Sequence, residues 1–160
     1  MDNFRWNRLR PGRLFGAITL IGGACFAASP AWAALGSNAA SVNADRAHFQ
    51  TSVKVTSHAL YDIHEMTLST GTTVREYAAP GGVVFAVGWD GPAMPDLRQT
   101  LGTHYDEYLA AAQANQGGHH HLAAQRGDLV LVSSGHMRAF AGRAYLASAV
   151  PPGVSLEELR

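Results

Sequence analysis

The sequence predicts an exported α+β domain. We expect an antiparallel β-meander of about five strands with one amphipathic helix packed on a sheet face, in the order β-β-β-α-β-β, preceded by a signal peptide. Three observations lead to this prediction. A basic, then apolar, then small-residue segment opens the chain, apolar residues alternate between residues 51 and 89, and apolar residues recur at spacings of three and four after Pro95. The first is typical of a cleavable leader, the second of strands and the third of a helix.

The leader is predicted to span residues 1–33. Four arginines lie between residues 5 and 13, the uncharged stretch Leu14–Ala28 follows, and Ala31-Trp32-Ala33 provides small residues for cleavage after Ala33. The protein is therefore expected to be periplasmic or secreted. An uncleaved anchor is an alternative, but the apolar stretch is about 15 residues and a spanning helix needs about 20. Lipid attachment at Cys25 is a second alternative, although the preceding residues Gly22-Gly23-Ala24 lack the large apolar residue usual at the start of a lipobox.

Length and composition limit the number of domains, the disulfides and the partners expected of the mature chain. Cleavage leaves 127 of the 160 residues, which is enough for one domain with its own core. The only cysteine, Cys25, leaves with the leader, so no disulfide is expected. Removing four arginines and one aspartate from 12 basic and 12 acidic residues leaves eight against eleven, a formal charge of −3. This charge argues against nucleic-acid binding and against a stable association with anionic membranes.

The mature chain is predicted to have three parts. Residues 34–50 form a mobile start that includes a short helix over Val42–Gln50, and residues 51–150 form the single α+β domain. Pro151-Pro152-Gly153 ends that domain, so residues 151–160 are expected to be a C-terminal tail.

The strand-like region begins with alternation at Val53 and Val55 and continues through Tyr61–Leu68 and Thr73–Tyr77. The clearest period of two runs from Val83 to Trp89. It is expected to place four large residues on one face and three small ones on the other: Val83, Phe85, Val87 and Trp89 against Val84, Ala86 and Gly88. The small face predicts that something packs close against it.

The register of the first clear hairpin can be predicted from charge. If Ser69-Thr70-Gly71 is a three-residue loop, Glu65 lies opposite Arg75, His64 opposite Glu76, Ile63 opposite Tyr77, and Met66 opposite Val74. A two-residue loop would instead oppose Glu65 and Glu76, two like charges. Cross-strand pairs contribute about 0.2–1 kcal/mol each, so we expect the three-residue loop.

A single helix is predicted from about Asp96. Its apolar stripe contains Leu97, Leu101, Tyr105, Tyr108, Leu109 and Ala112. Asp96 favours the helix N-terminus, and Gly117-Gly118 would end the helix. Gly102 costs about 1 kcal/mol inside a helix, so it predicts close backbone packing there.

Two further strands are predicted after the helix. The first is Leu129–Val132, and the second is His136–Leu146. Ser133-Ser134-Gly135 is expected to be the loop between them, by analogy with Ser69-Thr70-Gly71.

Several motifs of the mature chain resemble those of a known family: Val74-Arg75-Glu76-Tyr77, Val84-Phe85-Ala86-Val87-x-Trp89-x-Gly91-Pro92, Pro95-Asp96-Leu97-Arg98, Gly127-Asp128-Leu129-Val130 and Gly135-His136-Met137-Arg138-Ala139-Phe140-x-Gly142-Arg143-Ala144. The chain resembles a family of exported proteobacterial proteins of unknown function, domain of unknown function 2844, over nearly its whole mature length. The resemblance implies bacterial origin and export. It implies no activity, ligand or catalytic residue, and residues 119–121 lie where the family varies.

Three groups of residues are candidates for chemistry. His64 and Glu76, with Glu65 and Arg75, form a charged patch on neighbouring strands; together with His136, the histidine and glutamate are the candidate catalytic residues. The alternative is cross-strand pairing that only fixes register. Arg75, Arg138 and Arg143 are candidates for binding a carboxylate or phosphate, against an alternative of internal ion pairs. His119, His120 and His121 are candidate metal ligands, although three adjacent imidazoles face one ion poorly.

The function expected from these observations is that of a non-enzymatic binding or scaffolding domain of the cell envelope, with an unknown envelope or extracellular partner and no cofactor. The alternatives are a small enzyme or ligand binder that uses the His/Glu/Arg patch, and weak metal handling by the histidine run at residues 119–121. A pocket between the two arginine-bearing strands would favour ligand binding.

Overall fold

The structure, a computed structural model, describes residues 34–38, 52–115 and 121–159. The predicted leader, the short helix over Val42–Gln50, and His119 and His120 lie outside the described residues. The elements within them are β1 (Val53–Ser57), β2 (Asp62–Thr67), β3 (Thr73–Ala78), β4 (Val84–Gly91), α1 (Leu97–Leu101), α2 (Tyr105–Ala114), β5 (His121–Arg126), β6 (Leu129–His136) and β7 (Ala139–Leu146).

The strands form one sheet in the order β1-β2-β3-β4-β7-β6-β5, with every neighbouring pair antiparallel. The α+β class and the antiparallel sheet are confirmed, but the number and order of strands are corrected. The described residues contain seven strands rather than five, with four before the helices and three after them. The missed strand β5 reads His-Leu-Ala-Ala-Gln-Arg, which has no β-branched residue and little alternation. The edge strand β1 is five residues long and mostly exposed, so its pattern is weak.

The predicted register of the β2–β3 hairpin is confirmed. Glu65 pairs with Arg75, His64 with Glu76, and Met66 with Val74. The Leu68 amide donates to the Thr72 carbonyl at 2.8 Å, which encloses a three-residue loop, and Gly71 has φ +85°. Charge complementarity across the strands therefore identified the loop length correctly.

The predicted loop at Ser133-Ser134-Gly135 is wrong, because these residues belong to β6. The β6–β7 turn is instead Met137-Arg138, since His136 pairs with Ala139. The glycine serves a different purpose: a Cβ at Gly135 would lie 2.8 Å from the Phe140 ring. Close packing, rather than turn geometry, explains why glycine occupies this position.

The predicted single helix is interrupted at Gly102. Asp96 caps α1 by accepting hydrogen bonds from two of its backbone N–H groups, and a 3-10 turn over Gly102–His104 separates α1 from α2. Gly102 has φ +53°, and a Cβ there would lie 2.4 Å from the Cβ of Ala34. The close packing predicted for this glycine is therefore present, but it accompanies a break in the helix.

The two faces of the sheet carry separate apolar cores. The face covered by α1 and α2, here called the helix face, buries the larger core: Leu35, Met66, Val74, Val84, Val87, Trp89, Leu97, Leu101, Ala111, Leu122, Leu129, Leu131, Ala144 and Leu146. A β-bulge changes the alternation of β4, because Tyr77 pairs with Ala86 while Ala78 pairs with Val84. As a result Val84 joins Val87 and Trp89 on the helix face, which corrects the predicted grouping of Phe85 with them.

The opposite face, here called the tail face, is partly covered by residues 151–159. Leu159 is buried in a cluster with Tyr61, Tyr77, Phe85 and Ala86. The Tyr61 hydroxyl donates to Glu158 at 3.2 Å, and burial, followed by this hydrogen bond, raises the pKa of Tyr61. The tail is thus held by both apolar and polar contacts. Among the described residues, no helix has the length and apolarity needed to cross a membrane.

Candidate functional site

Strand alternation divides the predicted charged patch between the two faces of the sheet. Glu76 lies on the helix face, because its cross-strand neighbour Val87 belongs to that core. His64, opposite Glu76, shares the same face. Glu65 and Arg75 are one residue away in each strand, so they lie on the tail face. Of the two pairs, only Glu65 and Arg75 therefore lie on the face that contains the groove described below.

The tail face contains a groove of about 740 Å³. This sheet groove is lined by residues of five strands and by the tail: Ile63, Arg75, Tyr77, Trp89, Asp90, Val132, Ser134, Ala141, Gly142, Arg143, Glu158 and Leu159. The volume falls in the range of about 300–1,000 Å³ that is usual for sites of small organic ligands. A largely apolar lining with a few charged groups is also typical of such sites.

The two arginine-bearing strands lie on either side of β4. Gly88 pairs with Arg75 on β3 and with Arg143 on β7, so both arginines flank the same glycine on the tail face. Two strand spacings separate their Cα atoms by about 10 Å. Gly88, which has no side chain, is itself buried between them, and both arginines line the groove. The β3–β4–β7 order thus produces the pocket between arginine-bearing strands that would favour ligand binding.

Arg75 is held by acidic side chains. Its Nε donates to Glu65 at 2.8 Å, and its Nη1 donates to Asp90. Burial lowers the pKa of Arg75, but the hydrogen bonds to Asp90 and Glu65 outweigh that effect and raise the pKa. The guanidinium therefore stays charged and fixed, as a wall of the groove. The predicted alternative, cross-strand pairing that sets register, describes Glu65 and Arg75 well.

Arg143 has different surroundings. Its Nη1 donates to the backbone carbonyls of Leu156 at 2.8 Å and Leu159 at 3.4 Å, which fastens the tail to β7. Within residues 34–38, 52–115 and 121–159, Arg143 forms no ion pair with a carboxylate. Its Nε and Nη2 likewise have no hydrogen-bond partner in those ranges. The groove therefore contains one guanidinium edge that can bind an anion.

Two of the three candidate catalytic residues, His64 and Glu76, are cross-strand neighbours, whereas His136 lies apart from them. Glu76 is 2% exposed and His64 is half-buried, and no hydrogen bond joins them. His136 is exposed at the end of β6. Three strand spacings and five residues along the strand place it about 20 Å from Glu76. Arg138 also lies apart, exposed in the β6–β7 turn.

The candidate metal ligands are only partly described. His121 is exposed at the start of β5, and its carbonyl accepts a 2.8 Å hydrogen bond from the Asn115 side chain. In the described part of the chain, no group of three or more His, Cys, Asp or Glu side chains is close enough to hold a metal ion.

Sequence reasoning missed Asp90, Val132, Ser134 and Ala141 as groove residues. Nothing in their local sequence marks them, because three strands that are distant in the chain must be aligned before they meet. One signal did point to the site. The small residues Ala86 and Gly88 predicted a close neighbour, and the tail cluster packs on Ala86.

A family model described as "Protein of unknown function (DUF2844)" matches residues 31–159. The match therefore spans all of the described residues and the greater part of the chain. No curated protein and no solved structure matched.

Proposed function

The chain belongs to the DUF2844 family of proteins of unknown function, and we propose that it is an exported, non-enzymatic binding domain of the cell envelope that holds a ligand in the sheet groove. One observation carries this proposal. Arg75 and Arg143 flank Gly88 on the tail face, and both line a groove of about 740 Å³.

The chemistry of the groove supports binding rather than catalysis. No histidine is among the described residues that line it. Its one hydroxyl of serine or threonine type, on Ser134, donates a weak 3.4 Å hydrogen bond to the Ala141 carbonyl. A nucleophile needs an adjacent base for activation, and the lining offers Asp90 and Glu158, which already accept hydrogen bonds from Arg75 and Tyr61. These groups are arranged to hold the walls of the groove in place.

Export is supported by the leader-like sequence of residues 1–33 and by the extent of the family match, which leaves residues 1–30 outside it. The test is to express the full chain in a bacterium and to fractionate the cells. We expect the protein in the periplasm or medium, with an amino terminus at Ala34. A full-length chain that stays in the cytoplasm would contradict export.

The groove is tested by filling it. Ala141 is exposed and lines the groove, so Ala141→Phe should occupy the space with little effect on folding. Ala114→Phe is the matched control, since Ala114 is exposed at the end of α2 and does not line the groove. A library of small organic molecules is screened against the wild-type protein by two-dimensional NMR.

The expected result is a set of molecules that shift the amide signals of groove residues, that still bind the Ala114 variant, and that fail to bind the Ala141 variant. If all molecules that bind do so elsewhere on the protein, or bind both variants equally, the groove is not the functional site.

A second candidate function rests on Glu76, which is 2% exposed and lies opposite His64 on the helix face. A buried carboxylate beside an imidazole is an arrangement used for proton transfer. This candidate predicts that Glu76→Gln removes the proton-transfer activity of the protein but leaves the protein folded. A binding domain would retain ligand binding in that variant.

A further inference from the structure

We infer that the ligand of the sheet groove is an organic monocarboxylate with an apolar body, and that Nε and Nη2 of Arg143 bind its carboxylate. This inference rests on the proposed function of the groove. It adds the chemical class of the ligand and the residue that recognises its charged group.

The contrast between the two groove arginines carries the first step. Arg75 directs its donors at Glu65 and Asp90, so its charge is already compensated. Arg143 donates only from Nη1, and only to uncharged backbone carbonyls of the tail. In the described part of the chain its charge faces no carboxylate, and its Nε–Nη2 edge is available. That edge presents two parallel N–H groups, which match the two oxygens of a carboxylate.

The acidic neighbours limit the charge of the ligand. The groove lining includes Asp90 and Glu158 beside the two arginines, and Glu65 lies behind Arg75. Together these five groups carry two positive and three negative charges. The surrounding potential is therefore not strongly positive. A dianionic phosphate would be repelled by the acids, whereas a single negative charge needs only Arg143, which has no ion pair among the described residues.

The apolar residues that line the groove indicate what the body of the ligand is like. Ile63, Tyr77, Val132 and Leu159 give the groove apolar walls on both sides of Arg143. Leu159 already shows how this face accepts an aliphatic side chain, because it is 1% exposed among aromatic rings. A ligand with an alkyl or aryl group next to its carboxylate would bury apolar area against these walls.

The test compares ligands that differ in one group. Octanoate, octanol and octylamine share an alkyl chain and differ in head group, and inorganic phosphate provides an anion without a body. Binding is measured by calorimetry and by NMR, where the side-chain Nε–H signal of Arg143 reports contact directly in the wild-type protein. We expect octanoate to bind about tenfold or more tightly than octanol, as for a charge-assisted pair of hydrogen bonds, and to shift the Arg143 signal.

A carboxylate of this kind could be a free fatty acid or the end of a peptide, and further probes separate these sources. An acetylated peptide with a free C-terminal leucine is compared with its C-terminal amide and with octanoate. Preference for the peptide acid over octanoate assigns a peptide end, and the reverse assigns a fatty acid. Both results support the inference, because both require the carboxylate.

Two variants complete the test. Arg143→Lys keeps the charge but loses the paired donors, and should weaken octanoate binding about tenfold; Arg138→Lys, in the exposed β6–β7 turn, should leave it unchanged. Octanol binding the groove as tightly as octanoate would overturn the carboxylate while leaving the groove as a binding site. Carboxylates that never shift the Arg143 signal would overturn the inference even if other molecules occupy the groove.

Discussion

Replacing Gly142 with alanine should destabilise the protein through a single steric contact. Gly142 on β7 pairs with Trp89 on β4. A Cβ added there would lie 2.3 Å from Cζ2 and 2.6 Å from Cε2 of the indole, and 2.9 Å from the Val132 carbonyl oxygen. The backbone of Gly142 does not occupy the left-handed region, so alanine meets no conformational barrier. The expected effect is therefore one of packing alone.

The magnitude follows from the size of the overlap. Carbon atoms in contact normally lie about 3.5–4.0 Å apart, so the added methyl group overlaps the ring by more than about 1 Å. Trp89 is 1% exposed in the helix-face core, and it cannot move without displacing its neighbours. Overpacking of this kind typically costs about 1–3 kcal/mol. We expect a loss near the upper end, about 3 kcal/mol in the free energy of unfolding.

The assay is urea denaturation followed by tryptophan fluorescence. The three tryptophans are at positions 6, 32 and 89, so after the predicted cleavage Trp89 is the single fluorophore. Gly81→Ala is the matched control, because nothing lies within 4 Å of its added Cβ and its backbone is not left-handed. That variant should be unchanged or stabilised by up to about 1 kcal/mol through reduced freedom of the unfolded chain.

A double-mutant cycle identifies the contact. Trp89→Phe removes the part of the ring that the methyl group would strike, so Gly142→Ala should cost about 1–2 kcal/mol less in that background. Circular dichroism replaces fluorescence for these variants. If Gly142→Ala unfolds at the same urea concentration as Gly81→Ala, the close packing of β4 on β7 is wrong, and so is the sheet order that places them together.

Three further changes test local features. Asp96→Ala should lower the free energy of unfolding by about 1 kcal/mol, measured by heat or urea, because the α1 cap is lost. Asp96→Asn keeps a capping side chain and should lower it little. Equal losses in the two variants would contradict capping. Arg138 has φ +62°, so Arg138→Gly should stabilise the protein by about 1 kcal/mol, and a loss of stability in the same assay would contradict a strained turn. The side chain of Ser148, followed by its backbone N–H, lowers the pKa of Asp128, so Ser148→Ala should raise that pKa in an NMR titration. The lowered pKa of Asp128 stabilises the folded state fully only above the ordinary aspartate pKa. The difference in stability between Ser148→Ala and wild type should therefore vanish as the pH falls through the folded-state pKa of Asp128. A difference that persists at that low pH would contradict this contact.

The sequence was most informative where two independent signals agreed. The β2–β3 hairpin combined a turn signal at Gly71 with complementary pairs at Glu65–Arg75 and Met66–Val74, and its register is correct to the residue. The helix start at Asp96 combined an acidic cap with an apolar stripe, and the structure shows both. In each case, side-chain chemistry and backbone geometry required the same arrangement.

Predictions failed where one residue type serves two purposes. Glycine at position 135 was interpreted as a turn, but it provides room for Phe140 within a strand. The bulge in β4 could not be recognised from the sequence. Phe85 and Ala86 are both apolar, so no polar residue there shows that the alternation changes. Strand β5, with two central alanines, gave no signal, since small residues suit helices and strands alike.

The position of the candidate site follows from how unequally the sheet is covered. Within the part of the chain that the structure describes, two helices pack on the helix face and residues 151–159 pack on the tail face. The tail packs at the end of this face near Tyr77 and Phe85. The groove lies beside the tail, and Arg143 both fastens the tail and lines the space next to it. A ligand that binds Arg143 would complete the second layer of the sheet, so we expect its binding to raise the melting temperature of the wild-type protein and to leave that of Ala141→Phe unchanged.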